Sequence, residues 1–382
     1  MKRFFALVVV MLLAVMVEAN DGIYYTTGNH LVPLVETDIS VKKEVLTISL
    51  KDDGYAYVDV YYEFFNPQPT TKRLLMGFEA KPPYNDAWEF YPSGVHPYIY
   101  GFTVEMNGCQ VFYQTAPCYR DTLPVMFIDT TKQYYLGDNN YIYEKEVDWQ
   151  EHFDRGIDFA YIYYFDADFR PGLNIVHHTY RYKLSVIVGE PYRLDYKLTP
   201  ATRWANGQVD DFTLVIRADN TAKHFVISQD AFPDATFQVT EGGGKVRSNG
   251  RQYNLNERFS FYEIVIRNGA VVMHQKDFRP QSELELMAAN SYYNYIEQSE
   301  SYYYYDRSST GYLCTQKLPK QEHDFWVRVL HNMPYAHRGR VFKDPKLQKF
   351  FESLWWYMPD PNYKDNVSDF TPVDWEYVRY SE

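Results

Sequence analysis

A period-two alternation of apolar and polar residues runs from about Asp38 to Phe278 and constrains the fold more than any other feature of the sequence. Apolar residues alternate with polar ones over 46–50, an Asp-Asp-Gly turn follows at 52–54, and the alternation resumes over 56–62. Because successive side chains of a strand point to opposite faces, this pattern predicts a β-hairpin with one buried face.

Four Asn-Gly pairs add hairpin signals, since this dipeptide tolerates the positive φ angles of a type I′ turn. The clearest is Asn268-Gly269, which separates two strand-like runs, and Gly242-Gly243-Gly244 is predicted to be a flexible turn. No amphipathic helices intervene, so the sequence predicts a mostly β protein with an antiparallel β-sandwich body over 20–280. The body forms either one sandwich or two that divide near residue 190. The other three Asn-Gly pairs are Asn107-Gly108, Asn206-Gly207 and Asn249-Gly250.

The segment 281–321 changes character and is predicted to contain a helix and a linker. Ser282 and Glu285 fit a capping box, and apolar residues recur at near-helical spacing over 283–297. The following stretch, 299–311, is rich in serine and tyrosine. We interpret it as a linker or an added strand, and the alternative is a tyrosine ladder that stacks on sugars.

Residues 322–382 are predicted to form a small α-helical C-terminal module. A first apolar stripe ends near Gly339, which suits the left-handed residue that terminates a helix. Asp344 then provides the N-cap of a second helix, and Pro345 occupies its first position. The apolar face of this second helix consists of Leu347, Phe350, Phe351 and Leu354.

A set of motif residues within this module has a specific spacing. They are Asn332, Tyr335-Ala336-His337-Arg338-Gly339, Phe342, Asp344-Pro345, Leu347, Phe350-Phe351 and Trp356-Tyr357. The set resembles the YARHG domain of exported bacterial proteins, although His337-Arg338 inverts the middle of the signature and Pro334 stands where an aliphatic residue is usual. The resemblance implies an extracytoplasmic module with no assigned activity. The remaining chain is similar, more loosely, to a family of secreted bacterial proteins, which implies export and β structure.

The module also contains a basic patch in an otherwise acidic protein of net charge −12. Arg338 and Arg340 are candidates to bind carboxylate or phosphate groups of an envelope polymer. We favour a structural role for them, in which they cap helix carbonyls and pair with the acidic β body, because cations in the last turn of a helix commonly do so. The candidate binding residues are therefore Tyr335, His337, Arg338, Arg340, Trp356 and Tyr357.

The N-terminal residues predict export. Basic Lys2 and Arg3, an apolar run over 4–17 and the small residue Ala19 have the order of a cleaved signal peptide, residues 1–19. The apolar run is too short to cross a bilayer, so the mature chain is expected to have no membrane span and to be periplasmic or extracellular.

No arrangement of residues identifies a catalyst, a metal site or a cofactor. Adjacent His177 and His178 lie in a predicted strand and point to opposite faces, so they cannot bind one metal ion together. The acidic run 144–158 has no spacing that fixes two working carboxylates, and we interpret it as a solvated loop. Cys109 and Cys118 either form a disulfide bond or remain thiols, because pairing cannot be read from sequence.

These observations favour a non-enzymatic exported protein that binds or docks onto a cell-envelope or extracellular component, protein or glycan. One alternative is a glycan or peptide hydrolase with carboxylates in a β cleft, and another is a subunit of a surface assembly. Nucleic acid is excluded as a partner, because a net charge of −12 repels phosphate backbones.

Overall fold

The computed structural model describes most of the chain between residues 31 and 379. The described residues are 31–33, 37–51, 53–80, 90, 92–119, 126–137, 141–145, 156–184, 192–198, 201–202, 204–218, 223–249, 261–289, 296–298, 301–303, 323–370 and 372–379. The predicted signal peptide, residues 1–19, lies outside this part.

Strands dominate the described part, and all its helices are C-terminal. The strands are β1 (Leu31–Pro33), β2 (Ser40–Leu50), β3 (Tyr55–Asn66), β4 (Lys72–Ala80), β5 (Ile99–Met106), β6 (Cys109–Gln110), β7 (Gln114–Tyr119), β8 (Tyr134–Leu136), β9 (Tyr141–Glu144), β10 (Ile157–Phe169), β11 (Gly172–Lys183), β12 (Tyr192–Tyr196), β13 (Val209–Ala218), β14 (Lys223–Ser228), β15 (Phe237–Asn249), β16 (Phe261–Phe278), β17 (Leu284–Ala289), β18 (Ile296–Gln298) and β19 (Ser301–Tyr303). The helices are α1 (His323–His337), α2 (Pro345–Glu352) and α3 (Pro372–Arg379).

Two large sheets form the β body. The smaller sheet has the order β1-β4-β10-β9-β8, and β7 also pairs with β10. The larger sheet has the order β12-β17-β14-β16-β13-β2-β3-β11-β5-β6, and β15 also pairs with β16. Neighbouring strands are antiparallel except for β2 and β13, which run parallel. The predicted mostly β class with a small helical module is therefore confirmed, with one parallel pair that the sequence did not indicate.

One apolar core lies between the two sheets, and it contains residues from both sides of position 190. Phe78 and Phe169 of the smaller sheet share it with Phe64 of the larger sheet, and all three side chains are fully buried. Trp204 lies 4.6 Å from Phe64, between ring centroids. Chain segments from both sides of residue 190 thus pack in the same core.

The Asn-Gly pairs have different outcomes. Asn107-Gly108 joins β5 to β6 with φ angles of 52° and 78°, so the predicted type I′ hairpin is confirmed there. The hairpin expected at Asn268-Gly269 is wrong, because both residues lie inside the continuous strand β16. Gly269 has φ 104° and approaches the backbone of Glu241 too closely for any side chain, so the pair forms an irregularity in the strand.

Two further predictions are wrong. The glycines at 242–244 lie within β15 and not in a turn. The helix expected over 283–297 is replaced at 284–289 by β17, which pairs with β12 and β14. Leu284 and Leu286 are both fully buried, which is the period-two pattern of a strand. The same segment also fits helical spacing, and pairing with neighbouring strands decides in favour of the extended conformation.

The three helices form a separate apolar core with one residue of the body. Trp326, Leu330 and Met333 of α1 pack in this core against α2 and α3. Val265 of β16 is 1% exposed and belongs to the same cluster. The module is therefore packed on the β15–β16 region of the larger sheet.

Candidate functional site

The helix boundaries of the module follow from capping residues. The N–H of Gly339 donates to the carbonyl of Ala336 at 2.9 Å, and Gly339 has φ 91°, which confirms its predicted role after the end of α1. The Asp344 carboxylate accepts from the N–H of Lys346 at 2.8 Å and of Leu347 at 3.2 Å, which confirms the N-cap of α2. The Arg328 guanidinium and then these N–H groups hold the pKa of Asp344 below its usual range.

Arg338, a candidate binding residue, is 7% exposed and engaged inside the module. Its Nη2 and Nη1 donate to the two oxygens of Asp374 at 2.9 and 3.3 Å. Its Nε donates to Asp369 at 3.2 Å, and its Nη1 also donates to the carbonyl of Pro334 at 2.9 Å. The guanidinium joins α1 to α3 and not to the β body, so it is closed to an external ligand.

His337, Trp356 and Tyr357 are packing residues of the module. The rings of His337 and Trp356 stack with centroids 4.2 Å apart and an interplanar angle of 5°. The Tyr357 hydroxyl donates to the carbonyl of Arg340 at 2.6 Å. Trp356 is 6% exposed and Tyr357 is 2% exposed, so neither offers a surface for a ligand.

The other motif residues also build the module. Asn332 donates its side-chain N–H to the carbonyl of Arg328 at 2.7 Å. Phe342 stacks on Phe351 with centroids 4.7 Å apart. The buried side chains of this set are Ala336, Phe342, Leu347, Phe350 and Phe351. Most of the family signature thus specifies the fold of the module.

Two basic side chains of the β body bind backbone carbonyls of the module. Lys245 of β15 donates to the carbonyls of Trp355 and Tyr357 at 2.9 and 2.8 Å. Burial lowers the pKa of Lys245. Arg267 of β16 donates to the carbonyl of Met358 at 2.6 Å. These bonds satisfy carbonyls of a non-helical segment that would otherwise be buried without partners.

A solvent-open groove of about 480 Å³ lies in the module between α1, the start of α2 and the segment 360–365. Arg340 was predicted as a binding residue and lines this groove, with Nη2 3.3 Å from Asp365 and the guanidinium 4.8 Å from the ring of Tyr335. Lys343 is exposed in the wall, and no ion pair holds it among the described residues. The lining residues are Arg328, Asn332, Arg340, Val341, Phe342, Lys343, Asp344, Leu347, Asp360, Pro361, Tyr363 and Asp365.

The groove combines cations and carboxylates on one surface. Its cations are Arg328, Arg340 and Lys343, and its carboxylates are Asp344, Asp360 and Asp365. Arg328 is paired with Asp344, and Arg340 with Asp365. Six lining residues were not predicted from the sequence. The four at 360, 361, 363 and 365 lie in a tail without a periodic pattern, and the other two are Arg328 and Val341. Tyr335 only borders the groove through its contact with Arg340.

The other candidate chemistries find no support in the described residues. No group of three or more His, Cys, Asp or Glu side chains is placed there to hold a metal ion. Of the acidic run, Glu144 pairs with Lys132 at 2.9 Å, and residues 146–155 lie outside the described part. The considered disulfide is not formed: Cys109 is exposed in β6 of the larger sheet, and Cys118 is buried in β7 of the smaller sheet.

Comparison with protein families places a YARHG domain at residues 301–381. The match begins earlier than the module boundary predicted at residue 322, and it includes the signature and the whole groove. The YARHG domain is typical of exported proteins. Within the described residues, no helix is long and apolar enough to cross a membrane. No curated protein matches the chain significantly.

Comparison with solved structures gives only distant similarities. A "putative nutrient binding protein" from Legionella pneumophila is 18% identical, with a TM-score of 0.49, over 95% of this chain and 100% of that chain. An M1 zinc metallopeptidase from Deinococcus radiodurans is 10% identical, with a TM-score of 0.28, over 79% of this chain and 54% of that chain. These values identify no shared activity.

Proposed function

We propose that the protein is a non-enzymatic exported protein that binds a cell-envelope or extracellular component through the groove of its YARHG domain. The supporting observation is a division of roles within the domain. The signature residues Arg338, Trp356 and Tyr357 are buried and hold the module together, whereas Arg340 and Lys343 line an open groove. The residues left accessible to a ligand thus include the charged ones of the groove and the 47% exposed Val341.

The mixture of charges in the groove favours a ligand that carries both signs. Lys343 and Arg340 suit a carboxylate, and the exposed carboxylate of Asp365 suits an ammonium group. Asp360 contributes less, because it is paired with Arg267 at 3.6 Å. A volume of about 480 Å³ accommodates a few amino-acid residues. Short peptide stems attached to a wall glycan have both groups at this size, and we propose them as the ligand.

Co-sedimentation with insoluble peptidoglycan tests this function. The mature chain is mixed with intact peptidoglycan and with the same material after an amidase has removed its peptide stems. We expect binding to the intact polymer only. Lys343→Gln and Arg340→Gln should each weaken binding by about five- to tenfold, which corresponds to the loss of one charged contact.

Lys349→Gln is the matched control, because Lys349 is an exposed cation of α2 that does not line the groove. It should bind within about twofold of the unaltered chain. Equal binding to stripped and intact polymer, or equal losses in the control and groove variants, would contradict the proposal. Thermal unfolding of each variant confirms that the fold is retained.

A further inference from the structure

A second candidate surface lies on the outer face of the larger sheet, far along the chain from the groove. Three cations each lie over a tyrosine ring there. Lys51 lies 4.0 Å from the centroid of Tyr57, and Lys183 lies 5.6 Å from that of Tyr98. Arg181 lies between two rings, 5.1 Å from Tyr55 and 5.3 Å from Tyr100. We call Lys51, Arg181, Lys183, Tyr55, Tyr57 and Tyr100 the tyrosine–cation patch.

Strand register brings the members of the patch together. The central strand β11 places Arg181 opposite Tyr57 of β3 and opposite Tyr100 of β5. Lys183, two residues after Arg181 in β11, lies opposite Tyr55 and on the same face of the sheet as Arg181. The pairing of β5 shifts register between Thr179 and Arg181, so Tyr100 also points outward. The strands therefore fix Arg181, Lys183 and the three tyrosines of the patch, whereas Lys51 lies in the turn between β2 and β3.

Half of the patch is exposed, Lys51, Tyr55 and Tyr57 are half-buried, and its cations have no carboxylate partner among the described residues. Arg181 and Lys183 are exposed, and Tyr100 is 37% exposed. The nearby carboxylate of Asp53 accepts instead from the hydroxyl of Tyr57 at 2.7 Å. Three such cations on one surface of a protein of net charge −12 are complementary to an anionic partner.

The aromatic rings restrict the class of this partner. Tyr55 and Tyr100 contact each other edge to face, 5.7 Å apart at an interplanar angle of 83°, and Tyr100 is 37% exposed, so part of its ring is open to a ligand. Tyrosine faces pack on the apolar C–H side of sugar rings, and guanidinium groups bind carboxylates in two-point contacts. The patch residues are spread over the neighbouring strands β3, β11 and β5, an arrangement that suits an extended polymer better than a small molecule, which binds in concave sites. We propose that the tyrosine–cation patch binds an acidic polysaccharide.

This inference is independent of the groove, and polysaccharide binding by the full chain tests it. The probes are polygalacturonate, a neutral galactan and polyglutamate, with affinities measured by calorimetry at low salt. We expect binding of polygalacturonate, with much weaker binding of galactan, which lacks charge, and of polyglutamate, which lacks sugar rings. Equal affinity for polyglutamate and polygalacturonate would overturn the proposal, since the surface would then recognise charge alone.

Variants separate charge from stacking. Arg181→Gln with Lys183→Gln should weaken polygalacturonate binding by at least about tenfold, and Tyr100→Ala by at least about threefold with all cations retained. The matched double variant Lys346→Gln with Lys349→Gln removes two exposed cations of α2 and should stay within about twofold. An unchanged affinity in the first double variant, or an equal loss in the control, would overturn the assignment. Tyr100→Ala is exposed enough to leave the core intact.

Discussion

Arg338 and Asp374 form a buried two-point ion pair that joins α1 to α3, with side chains 6% and 2% exposed. The pair links the family signature to the last helix of the chain. It also explains why the arginine of the signature is unavailable to a ligand. This signature residue therefore stabilises the module. The groove beside it is the region where a ligand can bind.

Asp374→Asn is predicted to destabilise the protein by about 3–5 kcal/mol, because it leaves the Arg338 charge buried without its main partner. Urea denaturation followed by tryptophan fluorescence measures the change. The control is Asp365→Asn, which removes the exposed partner of Arg340 and should cost about 0–1 kcal/mol. Similar losses of unfolding free energy in the two variants would show that burial of the Arg338–Asp374 pair does not increase its contribution to stability.

Gly339→Ala is predicted to destabilise the module strongly. An added Cβ at φ 91° would collide with the guanidinium of Arg267 and lie 2.9 Å from the carbonyl oxygen of Met358. Gly108→Ala is the control, since Gly108 has φ 78° with no atom within 4 Å of the added Cβ. Backbone strain alone costs about 1–2 kcal/mol, so the control should lose that amount and Gly339→Ala clearly more. Thermal unfolding compares the two.

Lys245→Met is predicted to loosen the contact between the module and the β body. The change leaves the carbonyls of Trp355 and Tyr357 without their donor, at a cost of about 1–3 kcal/mol. Lys349→Met, at an exposed position of α2, should change stability by less than about 0.5 kcal/mol. Limited proteolysis should then cleave the first variant faster around α1. Equal cleavage of both variants would contradict a stabilising role for Lys245.

Asp344 should make the stability of the module depend on pH in the acidic range. Its folded pKa lies below the value of 3.8, chiefly because of Arg328, so it contributes stability above that pH and loses it as the pH falls through the folded pKa. Asp344→Asn keeps an N-cap and removes the charge. We expect the variant to melt at a lower temperature than the unaltered chain at pH 7, with the difference shrinking as the pH falls through the folded pKa of Asp344. A difference independent of pH would contradict this assignment.

Local patterns predicted the elements whose partners are adjacent in sequence. The β2–β3 hairpin, the Asn107-Gly108 turn and the capped start of α2 all follow from residues a few positions apart. The strand at 284–289 was missed because its neighbours β12 and β14 come from distant parts of the chain, and pairing with them overrides a local helical pattern.

The site was predicted only in part for the same reason. Arg340 was recognised from its place in the basic patch. The partner of Arg338, Asp374, is 36 positions away, so no local pattern identifies this pair. The acidic wall of the groove comes from Asp360 and Asp365, which belong to an irregular segment without a periodic signal.

The most direct test of the proposed function is calorimetric titration of the full chain with a soluble glycan fragment that carries a peptide stem. We predict saturable binding to one site, weakened about five- to tenfold by Arg340→Gln and changed by less than about twofold by Lys349→Gln. Binding of the same affinity in Arg340→Gln and in the unaltered chain would show that the groove of the YARHG domain is not the ligand site.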